Sequence, residues 1–268
     1  NFAHGDIYMI AAYVTAIFLA VFLGSAVGGS VGAILLTLLA VIVVTALYGF
    51  VIEKVAYRPL RGSGRLSPLI SAIGMSLVLQ NYVQIAQGAR NQGIPSIMPG
   101  GLEISLGSGA VMITYVQLLI IVVSVISMGG LAYLIKYTSL GRACRATQQD
   151  IKMAALLGIN TNKIISIVFI IGAVMAAIAG FLVSLNYGSF DFYIGFITGI
   201  KAFTAAVLGG IGSLPGALLG GLLLGLSESL FSGFVNADYK DVFAFTLLVL
   251  IFIFKPSGIL GRPEVEKV

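Results

Sequence analysis

Charged residues are scarce in this sequence. Only 9% of its 268 residues are Asp, Glu, Lys or Arg, whereas 59% are hydrophobic and the mean hydropathy is +1.07. Soluble domains carry about 25% charged residues, which solvate their surfaces. A chain of this composition has too little polar surface for a water-soluble fold, so the sequence predicts a protein embedded in a lipid bilayer.

Residues that build catalytic, redox and metal centres are equally few. Cys144 is the only cysteine and His4 the only histidine. One thiol excludes an intramolecular disulfide and a cysteine metal cluster. A hydrolase would have to pair His4 with Ser213, but neither lies in a recognisable catalytic motif. The sequence also lacks a glycine-lysine phosphate loop, so we expect no ATP to bind this chain in that way.

Uncharged stretches long enough to cross about 30 Å of hydrocarbon as helices are abundant. We predict eight spans, of which two share the long apolar region 196–231 and are separated by the glycine-rich residues 209–216. The last span is short, and we expect it to recruit residues 237–241. The predicted spans lie at residues 7–24, 31–52, 68–86, 113–135, 164–185, 196–231 (two crossings) and 242–254.

Basic residues are unevenly distributed among the connecting segments. Residues 53–67, 136–163 and 255–268 hold four, five and three of the fifteen lysines and arginines. Short cytoplasmic loops of membrane proteins carry this excess. With eight spans the three segments fall on one side, so we predict that they are cytoplasmic. We expect the first of them to be a loop that anchors the topology.

Residues 141–160 differ from an ordinary loop. They are rich in alanine and favour a helix, yet they carry too many charges to cross a membrane. We expect a short helix on the cytoplasmic side that ends near Gly158. A helix of this kind suits docking of a separate cytoplasmic protein.

Small residues recur at helical spacing in two regions. Gly212, Gly216 and Gly220 follow one another at intervals of four, as do Gly172, Ala176 and Gly180. This spacing favours close helix packing. Residues 209–216 also fit an unwound stretch that lines a cavity. Both interpretations remain open.

Polar residues within the predicted spans allow two interpretations as well. Gln80, Gln84 and Gln87 share one helical face, which suits either helix association or contact with a transported solute. The ionisable residues Asp191, Lys201 and Glu228 lie near the predicted outer face, where interfacial solvation competes with a functional role.

Six runs of the sequence are distinctive, namely NFAHGD (1–6), AYRPLR (56–61), SAIGMSLVLQNY (71–82), GRACRATQQDIKMAALLGIN (141–160), KAFTAAVLGGIGSLPGA (201–217) and GILGRPEVEKV (258–268). Through these runs the sequence resembles, over essentially its whole length, the membrane permease of bacterial branched-chain amino acid ABC importers, the LivH type. The resemblance implies a partnership with a sister permease, two cytoplasmic ATPase subunits and a periplasmic binding protein that delivers Leu, Ile or Val. It also implies that one transmembrane helix precedes this sequence.

The resemblance identifies residues 141–160 as the coupling helix that contacts the ATPase. It also implies that residues 1–6 and 209–216 are corresponding parts of an internal repeat. The candidate coupling residues are Arg142, Arg145, Asp150, Lys152, Met153, Ala154, Leu157, Gly158 and Ile159. The candidate residues of the translocation path are Asn1, His4, Gly5, Gln80, Gly209, Gly210, Gly212 and Ser213.

Taken together, these patterns predict an all-α, polytopic transmembrane helix bundle with broken glycine-rich helices and a cytoplasmic coupling helix. The resemblance further implies that residues 1–268 form one permease domain of an ATP-driven importer in the bacterial inner membrane. The chain itself is expected to be non-catalytic and to bind no cofactor, with ATP and Mg bound by the partner ATPases. The alternative is a stand-alone facilitator or channel for small polar solutes, which needs no docking helix.

Overall fold

The computed structural model describes residues 3–23, 31–64, 66–95, 97–106 and 109–261. It divides the chain into two compact units, Asn1–Phe196 (unit 1) and Ile197–Val268 (unit 2). The helices are α1 Ala3–Leu23, α2 Val31–Ile52, α3 Ser67–Gln87, α4 Tyr115–Tyr137, α5 Ser139–Gln149, α6 Ile151–Leu156, α7 Thr161–Tyr187, α8 Ile194–Gly209, α9 Leu214–Phe234 and α10 Lys240–Phe254.

Each of the eight predicted spans corresponds to one helix in the described part of the chain. Six of these helices are long and apolar enough to cross a membrane, namely α1, α3, α4, α7, α9 and the helix that starts with α2 and runs to Leu60. Helix α8 is apolar but shorter, and α10 has 15 residues. The extension of the last span to residue 237 is wrong, because α10 begins at Lys240. The predicted all-α membrane bundle is confirmed.

The core of unit 1 is formed by α1, which packs against α2, α3 and α7. Residues of α1 such as Ile7, Met9 and Leu19 are buried, as is Phe181 of α7. Gly180 permits the approach of α7 to α1, since a Cβ atom there would lie 2.5 Å from the carbonyl oxygen of Tyr8. Small residues at helix contacts let backbones approach closely inside lipid.

Short strands occupy the connections of unit 1 and were not predicted. Strand β1 (Gln92–Gly93) pairs antiparallel with β4 (Ser189–Phe190). Strands β2 (Gly101–Leu106) and β3 (Gly109–Thr114) form an antiparallel hairpin. The predicted fourth span therefore starts too early, because residue 113 belongs to β3. Helix α4 begins after Thr114, whose side chain forms a capping box with Gln117.

The segment after α2 is more ordered than the predicted loop. Helix α2 continues through a π-helical turn, Glu53–Tyr57, and a 3₁₀ turn, Arg58–Leu60. Glu53 is buried rather than solvated. The prediction of a loop is therefore wrong for residues 53–60, which are helical. The burial of Glu53 depends on polar partners elsewhere in the fold, which the local sequence does not show.

In unit 2, α8 and α9 are joined by a tight turn, and α10 packs on α9. The ring of Phe231 stacks on that of Phe243 with centroids 4.6 Å apart. The Nζ atom of Lys201 lies 2.9 Å from Glu228 and 2.6 Å from Asp241, so a single ammonium group joins three helices. The polar residues that the sequence places in these spans thus form ion pairs with one another, as intramembrane charges commonly do.

Candidate functional site

Helices α5 and α6 form a pair that leaves the end of α4 at a sharp turn. The Thr138 hydroxyl donates to the carbonyl of Leu134 at 2.6 Å and accepts from the backbone N–H of Gly141 at 3.2 Å. Gly141 lies against the backbone of Ile135, where a side chain has no room. One side chain and one glycine therefore end α4 and start α5.

The single helix predicted over residues 141–160 is two helices in the structure. Asp150 adopts an extended conformation, and its carboxylate accepts from the N–H groups of Lys152 at 2.8 Å and Met153 at 3.0 Å. This is the geometry of an N-cap, which starts a new helix. Gly158 follows α6 with φ of +85°, as predicted for a residue that ends the helix.

Apolar side chains of α6 and the residue after it project into solvent. The exposed fractions are 56% for Ile151, 59% for Met153, 81% for Leu156 and 79% for Leu157. We call these four residues the α6 patch. Such a cluster on a helix outside the apolar spans is typical of a surface that contacts another protein or the membrane. Ile151 and Leu156 were missing from the predicted coupling residues, although the helical spacing of Leu156 to Met153 and Lys152 could have identified it.

The other candidate coupling residues have different environments. Asp150, Lys152, Gly158 and Arg142 are exposed, and Ile159 is half-buried. Ala154 is buried, and its carbonyl accepts from the N–H of Ile159 at 3.0 Å, so it holds the helix end. The Arg145 guanidinium donates to the carbonyl of Ile135. Arg145 thus joins α5 to α4 within this chain.

Beside the helix pair lies a polar cluster around Glu53. Its carboxylate contacts Arg61, and it accepts a hydrogen bond from the Ser166 hydroxyl at 2.7 Å. Arg61 also donates to the side chain of Asn162. These contacts place segments 53–61 and 162–166 at the same end of unit 1. Their cytoplasmic location stays a prediction.

The structure brings one candidate path residue, Gln80, into a buried polar cluster with Asp6. The side-chain amide of Gln80 donates to Asp6 at 3.1 Å and to Ser76 at 3.0 Å. Asp6 is fully buried, and its second carboxylate oxygen has no hydrogen-bond partner among the described residues. Asp6 was not among the predicted path residues, because the first span was predicted to start at residue 7, whereas α1 begins at Ala3.

The remaining path candidates of unit 1 pack against glycines. The ring of His4 lies beside Gly172, where a Cβ atom would be 2.9 Å from the ring carbon Cε1. Gly5 is buried, and its carbonyl lies against Gly195. Asn1 lies outside the described residues. The small residues of α7 therefore accommodate α1, as the predicted packing of Gly172 and Gly180 requires.

In unit 2 the predicted break after α8 is present. Gly210 and Gly212 have φ of +107° and +87°, and the Ser213 hydroxyl caps α9 by accepting from the N–H of Gly216 at 3.1 Å. Gly209 lies against the carbonyl of Gly216, and Gly210 against the backbone of residue 261. The glycines here permit backbone-to-backbone contact. Their place in a translocation path stays a prediction.

Comparison with known proteins gives a consistent result. Residues 1–252 match the model of a family described as the permease component of branched-chain amino acid transport systems. The whole chain is 53% identical to a high-affinity branched-chain amino acid transport system permease protein, BraD, of Pseudomonas aeruginosa, and covers 88% of it. It is 49% identical over its whole length to LivH of Escherichia coli K12, of which it covers 87%.

A more distant relative is the probable branched-chain amino acid transport permease protein LivH of Methanocaldococcus jannaschii. It is 26% identical over 97% of this chain and 82% of its own length. No solved structure matches the chain.

Proposed function

This chain belongs to the family of permease components of branched-chain amino acid transport systems, and we propose that it forms the membrane path for Leu, Ile or Val in an ATP-driven importer. Its multi-pass membrane fold agrees with this function. In the proposed assembly it pairs with a sister permease in the bacterial inner membrane. A periplasmic binding protein delivers the amino acid, and two cytoplasmic ATPase subunits bind ATP and Mg.

The observation that carries the proposal is the α6 patch. Burying an apolar side chain is worth about 1.5–3 kcal/mol, so four exposed ones provide a substantial driving force for association. The flanking residues Lys152 and Arg142 are exposed cations that suit acidic groups on a partner. A stand-alone facilitator has no use for an apolar surface of this kind outside its membrane spans.

The position of the patch supports contact with a motor protein. Asp150 and Gly158 fix the two ends of α6, so the patch is presented on a defined helix. The chain then continues within a few residues into α7, which packs along α1 and α2. A partner that binds α6 is therefore attached to the core of unit 1.

The test is purification of the chain from membranes together with the proteins encoded beside it. We expect ATPase subunits to co-purify in stoichiometric amounts with the unaltered chain. The double variant Leu156→Ser/Leu157→Ser should insert normally but lose most of the ATPase. The matched control is Leu102→Ser, because Leu102 is an exposed leucine on strand β2. A lone homo-oligomer that transports without ATP would overturn the proposal in favour of a facilitator.

A further inference from the structure

Glu53 is a fully buried carboxylate at the end of α2 in the run EKVAYRPLR. The basic residues of this run account for membrane orientation but not for a buried acid. Burial of a carboxylate costs several kcal/mol unless partners compensate it. The helix also departs from α geometry here, in the π-helical turn Glu53–Tyr57. Single π-helical turns within helices occur frequently at functional positions.

Both oxygens of the Glu53 carboxylate are used. Oε1 accepts from the Arg61 guanidinium, and Oε2 accepts from the Ser166 hydroxyl at 2.7 Å. Arg61 bridges to the side chain of Asn162 through its other terminal nitrogen. One carboxylate therefore connects α2, the turn that follows it and the first two turns of α7.

The start of α7 is also held close to the α5–α6 pair. Only a few residues separate α6 from α7, and Asn160 caps α7 by accepting from the N–H of Lys163 at 3.0 Å. The Ser166 hydroxyl also lies 3.0 Å from the carbonyl of Asn162, within the same turns. A displacement of α6 thus moves Asn162 and Ser166, the partners of Arg61 and Glu53.

On the other side the cluster is tied to the transmembrane core. The rings of Tyr57 and Phe169 lie with centroids 5.1 Å apart. The carbonyl of Ala56 accepts from the Ser71 hydroxyl of α3 at 2.9 Å. Gly49 packs directly on Ala173, which leaves no space between α2 and α7. Movement that reaches Glu53 is therefore passed to α2 and α3.

We propose that Glu53, Arg61, Asn162 and Ser166 form a relay that passes movement of the ATPase-bound α5–α6 pair to the transmembrane helices. These are positioning residues, because the relay assigns them contacts with one another that connect α2 to α7. The inference rests on the proposed function, because it needs a motor on α6. It assigns to the run EKVAYRPLR a role that a topology anchor does not have.

The relay depends on the geometry of the Arg61 side chain, whereas a topology anchor depends only on its positive charge. Arginine presents a planar fork that can bind two acceptors at once, and lysine cannot reproduce it. The variant Arg61→Lys keeps the positive charge and therefore the topology. It should break the bridge between Glu53 and Asn162. The matched control is Arg58→Lys, since Arg58 is an exposed arginine in the same run.

The experiment uses the complete importer in lipid nanodiscs with its binding protein. The readout is the ratio of ATP hydrolysis with leucine-loaded binding protein to that without it. For Arg61→Lys we expect this ratio to fall toward one, because lysine cannot bind Glu53 and Asn162 at once in the geometry of the arginine fork. Arg58→Lys should stay within about twofold, which is the usual range for surface substitutions. An unchanged ratio in Arg61→Lys would overturn the relay.

A second pair of variants separates coupling from stability. Glu53→Leu alone leaves Arg61 without its buried partner and should lower the melting temperature of the complex. Glu53→Leu/Arg61→Met replaces both members by apolar groups, which often restores stability. The relay predicts recovery of the melting temperature without recovery of the hydrolysis ratio. If the double variant recovers both, the cluster has only a structural role and the relay is wrong.

Failure of the relay is distinguishable from failure of the proposed function. If Arg61→Lys loses the ATPase subunits, the cluster shapes the docking surface and the relay is overturned. If the unaltered chain purifies without any ATPase subunit, the proposed function is wrong, and the relay with it.

Discussion

The side-chain amide of Gln80 donates to the carboxylate of Asp6 across 3.1 Å, and both groups are buried between α3 and α1. The variant Gln80→Leu removes this donor from a buried acid. An unsatisfied buried polar group costs about 1–3 kcal/mol, more if charged, so we expect a clear fall in the melting temperature in detergent. Gln87→Leu is the control, because Gln87 is exposed at the end of the same helix. Equal melting temperatures for both variants would show that the Asp6–Gln80 bond contributes nothing.

Gly216 and Gly221 lie on the same helix in different surroundings. A Cβ atom on Gly216 would collide with the backbone of Gly209, whereas one on Gly221 would meet nothing within 4 Å. We therefore expect Gly216→Leu to separate α8 from α9 and to abolish uptake or assembly. Gly221→Leu should behave like the unaltered chain. The measurements are the yield of assembled complex and leucine uptake into cells. Uptake by Gly216→Leu at the unaltered rate would contradict the close helix contact.

Gly158 provides a test of the end of α6. Its φ of +85° is strained for any side chain, although the space around it is open. Gly158→Val should cost roughly 1–2 kcal/mol locally and misplace the α6 patch. We expect normal membrane insertion, reduced ATPase recruitment and reduced uptake. Gly129→Val is the control, because Gly129 also lies in open space but without a positive φ.

Cys144 reports the side of the membrane on which α5 lies. A membrane-impermeant maleimide should label it in inverted vesicles stripped of ATPase and not in intact cells. Burial raises the pKa of the Cys144 thiol, and the adjacent Arg145 offsets only part of that effect. Since the thiolate is the reactive form, labelling should be slow at neutral pH and accelerate by up to about tenfold per pH unit below the pKa. Labelling in intact cells would reverse the predicted topology.

The transmembrane helices could be predicted from sequence because the bilayer imposes one local rule. Within hydrocarbon every backbone polar group must bond inside its own segment, so apolar length alone identifies a spanning helix. Helix α2 covers Val31–Ile52, which are the bounds predicted for the second span. The positive φ of Gly158 could also be predicted from local sequence, because helices commonly end at a glycine in the left-handed conformation.

The contacts that depend on distant partners could not be predicted. Glu53 and Ser166 are 113 positions apart, so nothing near Glu53 indicates that it is buried. The break between α5 and α6 and the β2–β3 hairpin are different cases. Asp150 is a favourable N-cap residue, and Leu102, Ile104 and Leu106 alternate with polar residues. These local signals were present but were outweighed by the helix propensity of 141–160 and by the apolar run after residue 110.

The packing of Gly180 against Tyr8 has a consequence for biogenesis. Helix α1 leaves the ribosome well before α7, which follows roughly 150 residues later. Synthesis of those residues takes about 8–30 seconds at 5–20 residues per second. During that interval the backbone of α1 at Tyr8, which Gly180 later approaches, has no α7 to cover it. The contact between α1 and α7 therefore forms only after most of unit 1 has been synthesised.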